Sequence, residues 1–469
     1  MFVDARSIEN GKELSADLCI IGAGAAGITL ATSLENSKIS TILLEAGDTQ
    51  PDQKTQSIYE GVVRSEVLPS SYLTTSRARY FGGTTNLWGG HSVVINSNIF
   101  TQRSVTSGRG WPISASDLRP YYARAAEILG VRSEVRSEAD TTIQRNLAAI
   151  ERYPVGRGER RMGHFNAELL KRSNTRVLLN ANVTSINPDR ANKRITDVIV
   201  ETLSGRRIHV NARAFVLATG GIENARLLLL PTAVDSSGIG NSYGLVGRNF
   251  SEHFFGRGRM IETASLWPRD GEVFSVMSSQ LQEKYALPEV GLLRHYKRTR
   301  SSDGDHIVSS LAQIMDATTY PRIASLDYYY EVPPAPENRV MLSEQLDPFG
   351  RPKAELRFNL SPELIKLYSI AVELYGRIAG QGKIGRVQIV DHPMWLGNHH
   401  MNTTPMSNDP SQGVVDANGR VHGYANIFVA GSSIFPTSGC GNPTFPLIAL
   451  TFRLSDFLRN GFKRNLFAV

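Results

Sequence analysis

Apolar and polar positions in the first fifty residues predict a strand, a helix and a second strand. Residues 17–22 (DLCIIG) form an apolar run that ends at a glycine, which is typical of a buried parallel strand. Residues 24–34 carry small, helix-forming side chains, and residues 40–45 (STILLE) form a second apolar strand. This order is one βαβ unit, so the N-terminal part of the chain predicts a parallel sheet.

Farther along, similar patterns outline two kinds of domain. The further predicted strands and helices are strands at 176–186, 197–202, 214–219 and 426–430, and helices at 116–130, 222–230 and 443–458. Mixed strand patterns with many aromatic residues fill 251–395, which predicts a separate sheet. The prediction is an α/β chain. We place one discontinuous domain at 1–100, 171–255 and 396–469, and a second domain at 101–170 and 256–395.

Composition indicates a globular protein. Of the 469 residues, 41% are apolar and 20% are charged, and the net charge of +7 includes no dense basic block, so we expect no nucleic-acid partner. No apolar run reaches the roughly 20 residues that span a bilayer, so we expect no membrane span. The apolar stretch 18–34 is interrupted by glycines and lacks a cationic segment before it. Two cysteines without a CxxC pair are compatible with a reduced compartment, and we predict a cytoplasmic location.

The first motif is the GAGAAG turn between the first strand and helix. Gly22 allows a tight turn, Gly24 allows close approach to a pyrophosphate, and Gly27 allows the helix to pack on the strand. Glu45 ends the second strand, where an acidic residue accepts hydrogen bonds from a ribose. The predicted contacts are Gly22, Gly24, Ala25, Ala26, Gly27, Glu45 and Ala46. This unit alone fits NAD and FAD equally well.

Two further segments favour a long cofactor. Residues 81–90 (FGGTTNLWGG) are rich in glycine, which lets a backbone lie against a planar or anionic ligand. Residues 218–221 (ATGG) end another predicted strand. The predicted contacts here are Gly82, Gly83, Thr84, Asn86, Leu87, Trp88, Gly89, Gly90, Ala218, Thr219 and Gly220. A nicotinamide cofactor would give these two segments no ligand to contact, so we favour a flavin cofactor.

Two C-terminal side chains suit the oxidation of an alcohol. The imidazole of His399 can take a hydroxyl proton near operating pH, and the amide of Asn442 can hold the same oxygen. Pro443 suits the first turn of a helix whose N-terminus would stabilise negative charge. Although His400 adjoins His399, no set of ligands with metal spacing surrounds them, so we predict no metal.

The chain resembles the glucose-methanol-choline (GMC) oxidoreductase family over most of its length. The matching segments are GAGAAG with Glu45, FGGTTNLWGG, ATGGIENARLLLL at 218–230, GLVGRNFSEHF at 244–254, PAPENRVMLSEQLDPFGRP at 334–352 and GVVDANGRVHGYANIFVAGSSIFPTSGCGNPT at 413–444. The resemblance implies that the first, discontinuous domain is a Rossmann-type FAD-binding domain and that the second is a mixed α+β substrate-binding domain built on an antiparallel sheet. It also implies hydride transfer from CH–OH to flavin N5.

The resemblance assigns roles to individual residues. It implies that His399 is the catalytic base and that Asn442 is the second catalytic residue. An asparagine at this second position resembles the pyranose oxidase and sugar dehydrogenase branch of the family. The further flavin contacts that it implies are Val183, Asn224, Asp416, Gly431, Ser432, Ser433, Pro443 and Thr444. We also predict that His400 and Trp395 lie near the substrate.

Departures from the family pattern occur at three positions. Leu87 stands where some branches carry the histidine that binds the flavin covalently, so we predict noncovalent FAD. Asn402 replaces the family's usual glycine, and Pro405 replaces a basic residue close to His399. These two changes bear on activity and on the choice of substrate.

The leading interpretation is an FAD-dependent alcohol or sugar dehydrogenase or oxidase. The substrate would be a sugar, a glycoside or another secondary alcohol, and the electron acceptor oxygen or another molecule. One alternative keeps FAD but makes the protein a lyase. Another is a degenerate flavoprotein that serves as a binding partner in a biosynthetic complex.

Overall fold

The fold is known from a computed structural model. It describes residues 1–106, 109–131, 150–154, 156–157, 161–191, 193–262, 272–295, 322–381, 385–389 and 394–468. Much of the predicted substrate-binding domain, including 132–149 and 296–321, lies outside the described residues.

An eight-stranded sheet organises the predicted nucleotide-binding segments. Numbered in chain order, its strands are β1 (Phe2–Asp4), β2 (Glu13–Ile21), β3 (Thr41–Leu44), β8 (Thr175–Leu179), β9 (Asn182–Pro188), β10 (Ile195–Glu201), β11 (Arg207–Leu217) and β20 (Ile427–Val429). They follow the order β1-β8-β3-β2-β11-β10-β9, and β20 also pairs with β11. β9, β10 and β11 pair antiparallel, whereas the other pairs are parallel.

A second sheet of seven antiparallel strands lies in the predicted substrate-binding segments. Its strands are β6 (Ile150–Pro154), β12 (Phe254–Glu262), β13 (Glu272–Met277), β14 (Val290–His295), β15 (Arg322–Tyr330), β18 (Gly385–Ile389) and β19 (Trp395–Leu396). Their order is β18-β12-β15-β14-β13-β6, with β19 paired to β12. Two small sheets contain β4 (Val62–Arg64), β16 (Arg339–Leu346) and β17 (Pro352–Arg357), and β5 (His91–Ser92) and β7 (Gly156–Arg157).

Helices pack on the sheets and bury their apolar faces. They are α1 (Ala25–Ser33), α2 (Gln53–Gln56), α3 (Tyr72–Thr75), α4 (Ala115–Leu129), α5 (Met162–Arg172), α6 (Gly220–Leu229), α7 (Ser279–Lys284), α8 (Pro362–Gln381) and α9 (Thr444–Lys463). α9 packs against both α1 and α4. None of the described helices combines the length and the apolar character needed to cross a bilayer.

The predicted elements agree with the fold except at two places. Residues 251–395, predicted as strands, also contain the 20-residue helix α8 (Pro362–Gln381). The segment 176–186, predicted as one strand, forms two strands, β8 and β9. Asn180 lies between them with a φ of 58°, in the left-handed region. The strand is interrupted there, so β8 joins the parallel part of the sheet and β9 the antiparallel part.

Four strand ends meet at one edge of the large sheet. The last residues of β2, β3, β11 and β20 are in register, because Ile21 pairs with both Leu44 and Leu217, and Leu217 pairs with Val429. Loops that leave the carboxyl ends of parallel strands form the usual ligand crevice of such sheets. The glycine-rich segments predicted to bind a cofactor therefore converge at this edge.

Candidate active site

A cleft of about 380 Å³ opens at this edge of the sheet. We call it the cofactor cleft. Most residues predicted from the sequence line it, namely Gly22, Gly24, Ala25, Ala26, Glu45, Ala46, Gly83, Thr84, Leu87, Trp88, Gly89, Gly90, Val183, Ala218, Thr219, Gly220, His399, His400, Gly431, Ser432, Asn442, Pro443 and Thr444.

Other predicted residues lie behind the wall of the cleft. A Cβ on Gly27 would lie 1.9 Å from the carbonyl oxygen of Gly22, so this glycine allows helix α1 to approach the preceding turn. The backbone of Gly82 has a φ of 100°, which favours glycine. Asn86 donates a hydrogen bond to the carbonyl of Phe81. These residues shape the glycine-rich loop and do not line the cleft.

Asn224 connects two strand ends behind the cleft. Its Oδ1 accepts hydrogen bonds from the N–H and the hydroxyl of Thr219, at 2.8 and 2.7 Å. Its Nδ2 donates to the carbonyl of Ala430 and to the hydroxyl of Ser433, at 3.3 and 3.0 Å. The amide thus fixes the loops after β11 and β20 relative to each other. Asn224 and Ser433 support the wall of the cleft without lining it.

Asp416 and Trp395 also lie outside the cleft lining. The carboxylate of Asp416 accepts hydrogen bonds from the backbone N–H groups of Asn418 and Arg420, so it stabilises a turn. Trp395 packs against Phe255, with 5.9 Å between the ring centroids. Because Phe255 also contacts the ring of His399, Trp395 lies one side chain away from the predicted catalytic residue.

The cleft offers a site for an anionic group at the start of α1. Gly24 precedes this helix without a side-chain cap, and the first turn has no acidic residue. The first N–H groups of a helix have no partners within it and attract anions. A Cβ on Gly24 would meet no atom within 4 Å, so the space beside it is open to a ligand. The observed residues therefore fit a pyrophosphate.

Glu45 lies at the same end of the cleft and is 6% exposed. Its two oxygens accept hydrogen bonds from the N–H groups of Ala23 and Gly47, at 3.1 and 2.9 Å. Burial raises the pKa of this carboxyl group, while these donors oppose the rise. Each carboxylate oxygen can accept a further bond, so Glu45 can still receive the hydroxyl groups of a ribose.

Two buried arginines line the cleft beside Glu45, and the sequence analysis missed both. The guanidinium groups of Arg77 and Arg79 lie over the ring of Tyr59, 3.8 and 4.7 Å from its centroid. Arg77 pairs with Glu223 at 3.4 Å. Their positive charge makes this end of the cleft more favourable for an anionic cofactor. Arg77 and Arg79 stand directly before the glycine-rich loop in the sequence, and this position could have indicated that they line the cleft.

His399 and Asn442 contact each other at another part of the cleft. Nδ2 of Asn442 lies 3.4 Å from Nε2 of His399. Burial, together with nearby His253, lowers the pKa of His399 well below its usual value, so the imidazole is neutral. Oδ1 of Asn442 and Nε2 of His400 are buried and have no hydrogen-bond partner within the described part of the chain. A neutral base and an amide thus face the same space.

A buried carboxylate fixes the backbone of His399. Oε1 of Glu252 accepts the N–H groups of both His399 and His253 at 2.7 Å, and Oε2 accepts the hydroxyl of Tyr72. Glu252 is fully buried. The NFSEHF segment carries both Glu252 and His253, and neither its acidic residue nor its histidine was predicted to have a role. Glu252 and His253 are two ionisable residues close to apolar residues in this segment, a pattern that could have indicated a buried polar network.

A second buried network fixes the loop that carries Asn442. The N–H of Gly439 donates to Glu331 at 3.1 Å, and the N–H of Cys440 donates to Glu289 at 2.9 Å. Arg103 forms a bidentate pair with Glu331, at 2.5 and 2.9 Å. Charge-assisted bonds of this kind are strong and directional. Carboxylates near the antiparallel sheet therefore position the predicted second catalytic residue.

The backbone conformation explains why asparagine can stand at position 402, whereas nothing in the structure explains the proline at 405. Asn402 has a φ of 69°, a conformation that suits glycine and that asparagine tolerates better than most other residues. The carbonyl of Pro405 accepts the N–H of Val414 at 2.7 Å within a buried turn. Neither side chain lines the cleft. These departures from the family pattern lie behind the site.

Glu252 predicts a pH-dependent component of stability. Burial raises its pKa from 4.5 to about 7, against the hydrogen bonds that it accepts. Between these values the folded protein keeps a proton that the unfolded chain has released, so this component of the unfolding free energy falls as the pH rises. Glu252→Gln removes it. Denaturant unfolding of both proteins at several pH values should show their difference changing by on the order of 3 kcal/mol. A pH-independent difference would contradict the assignment.

Comparisons with known proteins bear on the family and the cofactor of this chain. Residues 334–451 match the family model described as GMC oxidoreductase, and residues 17–236 match the model described as FAD dependent oxidoreductase. The chain is 27% identical to the fructose dehydrogenase large subunit of Gluconobacter japonicus, covering 97% of this chain and 100% of that protein. It is 24% identical to paromamine 6'-oxidase of Streptomyces fradiae, and the match covers 93% of this chain and 90% of that protein.

Solved structures with the same fold include two oxidases. Formate oxidase matches with a TM-score of 0.62 and 15% identity, over 98% of this chain and 100% of that one. Pyridoxine 4-oxidase from Mesorbium loti matches with a TM-score of 0.58 and 17% identity, over 95% and 99%. These comparisons confirm the fold class and give no support to the lyase alternative. Together these matches support the GMC oxidoreductase family for this chain, which is an FAD-dependent oxidoreductase.

Proposed function

We propose that this protein oxidises the CH–OH group of a sugar, a glycoside or another secondary alcohol, with His399 as the base. The observation that carries the proposal is the contact between His399 and Asn442 at the lining of the cofactor cleft. A neutral imidazole can accept the hydroxyl proton, and an amide can hold the hydroxyl oxygen without competing for that proton.

The chain supplies the rest of the site. Bound FAD would supply the acceptor for the hydride that leaves the alcohol carbon. The first turn of α1 and Gly24 would hold the pyrophosphate, and Glu45 the ribose. Helix α9 starts after Pro443 with no acidic residue in its first turn, so its N-terminus favours negative charge in the cleft.

The substrate class is supported by the relatives and by the surroundings of His399. The fructose dehydrogenase subunit and paromamine 6'-oxidase are named for action on sugar-type molecules. Phe255, beside His399, packs on Trp395, and the guanidinium of Arg257 lies 5.1 Å from the Trp395 ring centroid. Aromatic faces with a polar neighbour suit the mixed surface of a sugar. We therefore retain His400 and Trp395 as substrate-site candidates.

Anaerobic flavin reduction tests the proposed function. Holoprotein should be mixed without oxygen with fructose, aminoglycosides, glycosides and simple secondary alcohols, while the flavin absorbance is followed. At least one member should bleach the flavin and yield a carbonyl product in equal amount. Bleaching by none of them would contradict the proposed substrate class. Reoxidation by oxygen or by an added acceptor would then identify the electron acceptor.

A cytoplasmic location stays a prediction.

Gly24→Val should weaken FAD binding without unfolding the protein. The valine side chain would enter the open space that we assign to the pyrophosphate. Overpacking typically costs about 1–3 kcal/mol, so the dissociation constant of FAD should rise roughly 5- to 150-fold. Gly380→Val is the matched control, because a Cβ there also meets no atom within 4 Å. Flavin titration measures both. Equal affinities of the two variants would contradict the placement.

FAD should be released by acid precipitation, because Leu87 cannot form the covalent link that a histidine forms. Leu87 is 58% exposed at the lining of the cleft. The supernatant should contain all of the flavin, measured by its absorbance. Flavin that stays with the precipitated protein after washing would show that another residue binds it covalently.

A further inference from the structure

His253 lies directly behind His399 and outside the cleft lining. It precedes β12 and is fully buried. Its ring is perpendicular to that of His399, with 5.1 Å between the centroids. The proposed function gives His253 no role. Its two ring nitrogens nevertheless both have partners, and these partners determine where its proton lies.

The hydrogen bonds of His253 determine which of its two ring nitrogens carries the proton. Nε2 lies 2.7 Å from the carbonyl oxygen of Gly439, which can only accept, so Nε2 must carry a proton. Burial lowers the pKa of His253 to about 4, although nearby Glu331 raises it. The ring is therefore neutral at physiological pH. Its Nδ1 then has no proton and acts as an acceptor.

This arrangement determines the tautomer of His399. Nδ1 of His253 lies 2.9 Å from Nδ1 of His399, and one of these two atoms must donate. Because Nδ1 of His253 accepts, Nδ1 of His399 donates and carries its single proton. Nε2 of His399 is left unprotonated, and its lone pair accepts a long hydrogen bond of 3.4 Å from Nδ2 of Asn442. That atom is the one able to take a proton from a substrate in the cleft.

The carbonyl of Gly439 is itself held in place. Glu331 accepts the N–H of Gly439, and Glu289 accepts the N–H of the next residue. Gly439 has a φ of 59°, and a Cβ there would lie 2.9 Å from Oε2 of Glu289. The conformation of this peptide therefore depends on glycine. A fixed carbonyl keeps the proton of His253 on Nε2.

We propose that His253 is a positioning residue that sets the tautomer of His399, keeping Nε2 unprotonated and ready to accept the substrate proton. The catalytic part of this inference rests on the proposed function, whereas the tautomer can be measured without a substrate. A histidine in the wrong tautomer retains its position but cannot act as the base.

Nitrogen NMR tests the tautomer directly. The oxidised holoprotein should be labelled with ¹⁵N-histidine, and the His399 signals assigned by their loss in His399→Asn. We expect a protonated Nδ1 and an unprotonated Nε2 in His399. In His253→Leu the preference should be lost, and in His253→Asn it should be kept, because the asparagine oxygen can accept the same bond. A protonated Nε2 of His399 in the wild type would overturn the proposal.

Kinetics separate this proposal from the proposed function. His253→Leu should slow flavin reduction by at least about tenfold at unchanged substrate affinity, and His253→Asn should restore most of the rate. Flavin content and unfolding midpoints check that both variants fold. Equal rates in the two variants would overturn the role of His253. If no substrate reduces the flavin, the proposed function fails, while the NMR result still decides the tautomer.

Discussion

The His399→Ala variant is expected to reduce its flavin roughly 10²–10⁴-fold more slowly than the wild type. This range corresponds to about 3–5 kcal/mol of transition-state stabilisation. The physical reason is that Nε2 of His399 lies 3.4 Å from Asn442 at the lining of the cleft and is the nearest neutral base to that amide among the described contacts. Stopped-flow mixing without oxygen, with the substrate found by screening, measures the rate.

His209→Ala is the matched control for His399→Ala. His209 lies on β11, where it pairs with Glu13 at the opposite end from the cleft, and its side chain is 37% exposed. We expect its rate of flavin reduction to equal that of the wild type. An unchanged rate in His399→Ala would remove this residue from the mechanism, provided that the flavin content is unchanged.

Glu331→Gln is expected to lower the unfolding free energy by about 3–5 kcal/mol, because it leaves the buried charge of Arg103 without its partner. The two side chains are 6% and 0% exposed. Glu331 also accepts the N–H groups of Gly439 and Glu289, so the loss should extend to the loop that carries Asn442. Denaturant unfolding measures the change.

The exposed pair of Arg377 and Glu373 provides the control for the buried pair. Their side chains are 75% and 60% exposed, with 3.9 Å between the charged atoms. Glu373→Gln should change the unfolding free energy by less than about 1 kcal/mol, because water screens such pairs. If Glu331→Gln changed stability as little, the buried network would not hold the loop as described.

The sequence predicted the features that depend on local patterns. The GAGAAG turn, the strands around it and Glu45 lie within one βαβ unit, so spacing alone indicated their arrangement. The family segments extended this prediction to His399 and Asn442, which lie far apart in sequence and in contact in the structure. The division of 176–186 into two strands escaped prediction because it depends on the backbone conformation of Asn180.

The supporting residues could not be predicted from local patterns. Glu252 meets Tyr72 across 180 positions of sequence, and Glu331 meets Arg103 across 228. An isolated buried carboxylate has no sequence period, since its partner can come from any other element. Its role becomes visible only when the fold brings both together. His253 belongs to the same class.

The most direct test of the central claim uses a substrate that carries deuterium at the carbinol carbon. If the carbon–hydrogen bond breaks as the flavin is reduced, the wild-type protein should reduce its flavin severalfold more slowly with the deuterated substrate than with the ordinary one. Equal rates for the two substrates, with reduction shown to be the slow step, would contradict oxidation of a CH–OH group at this site.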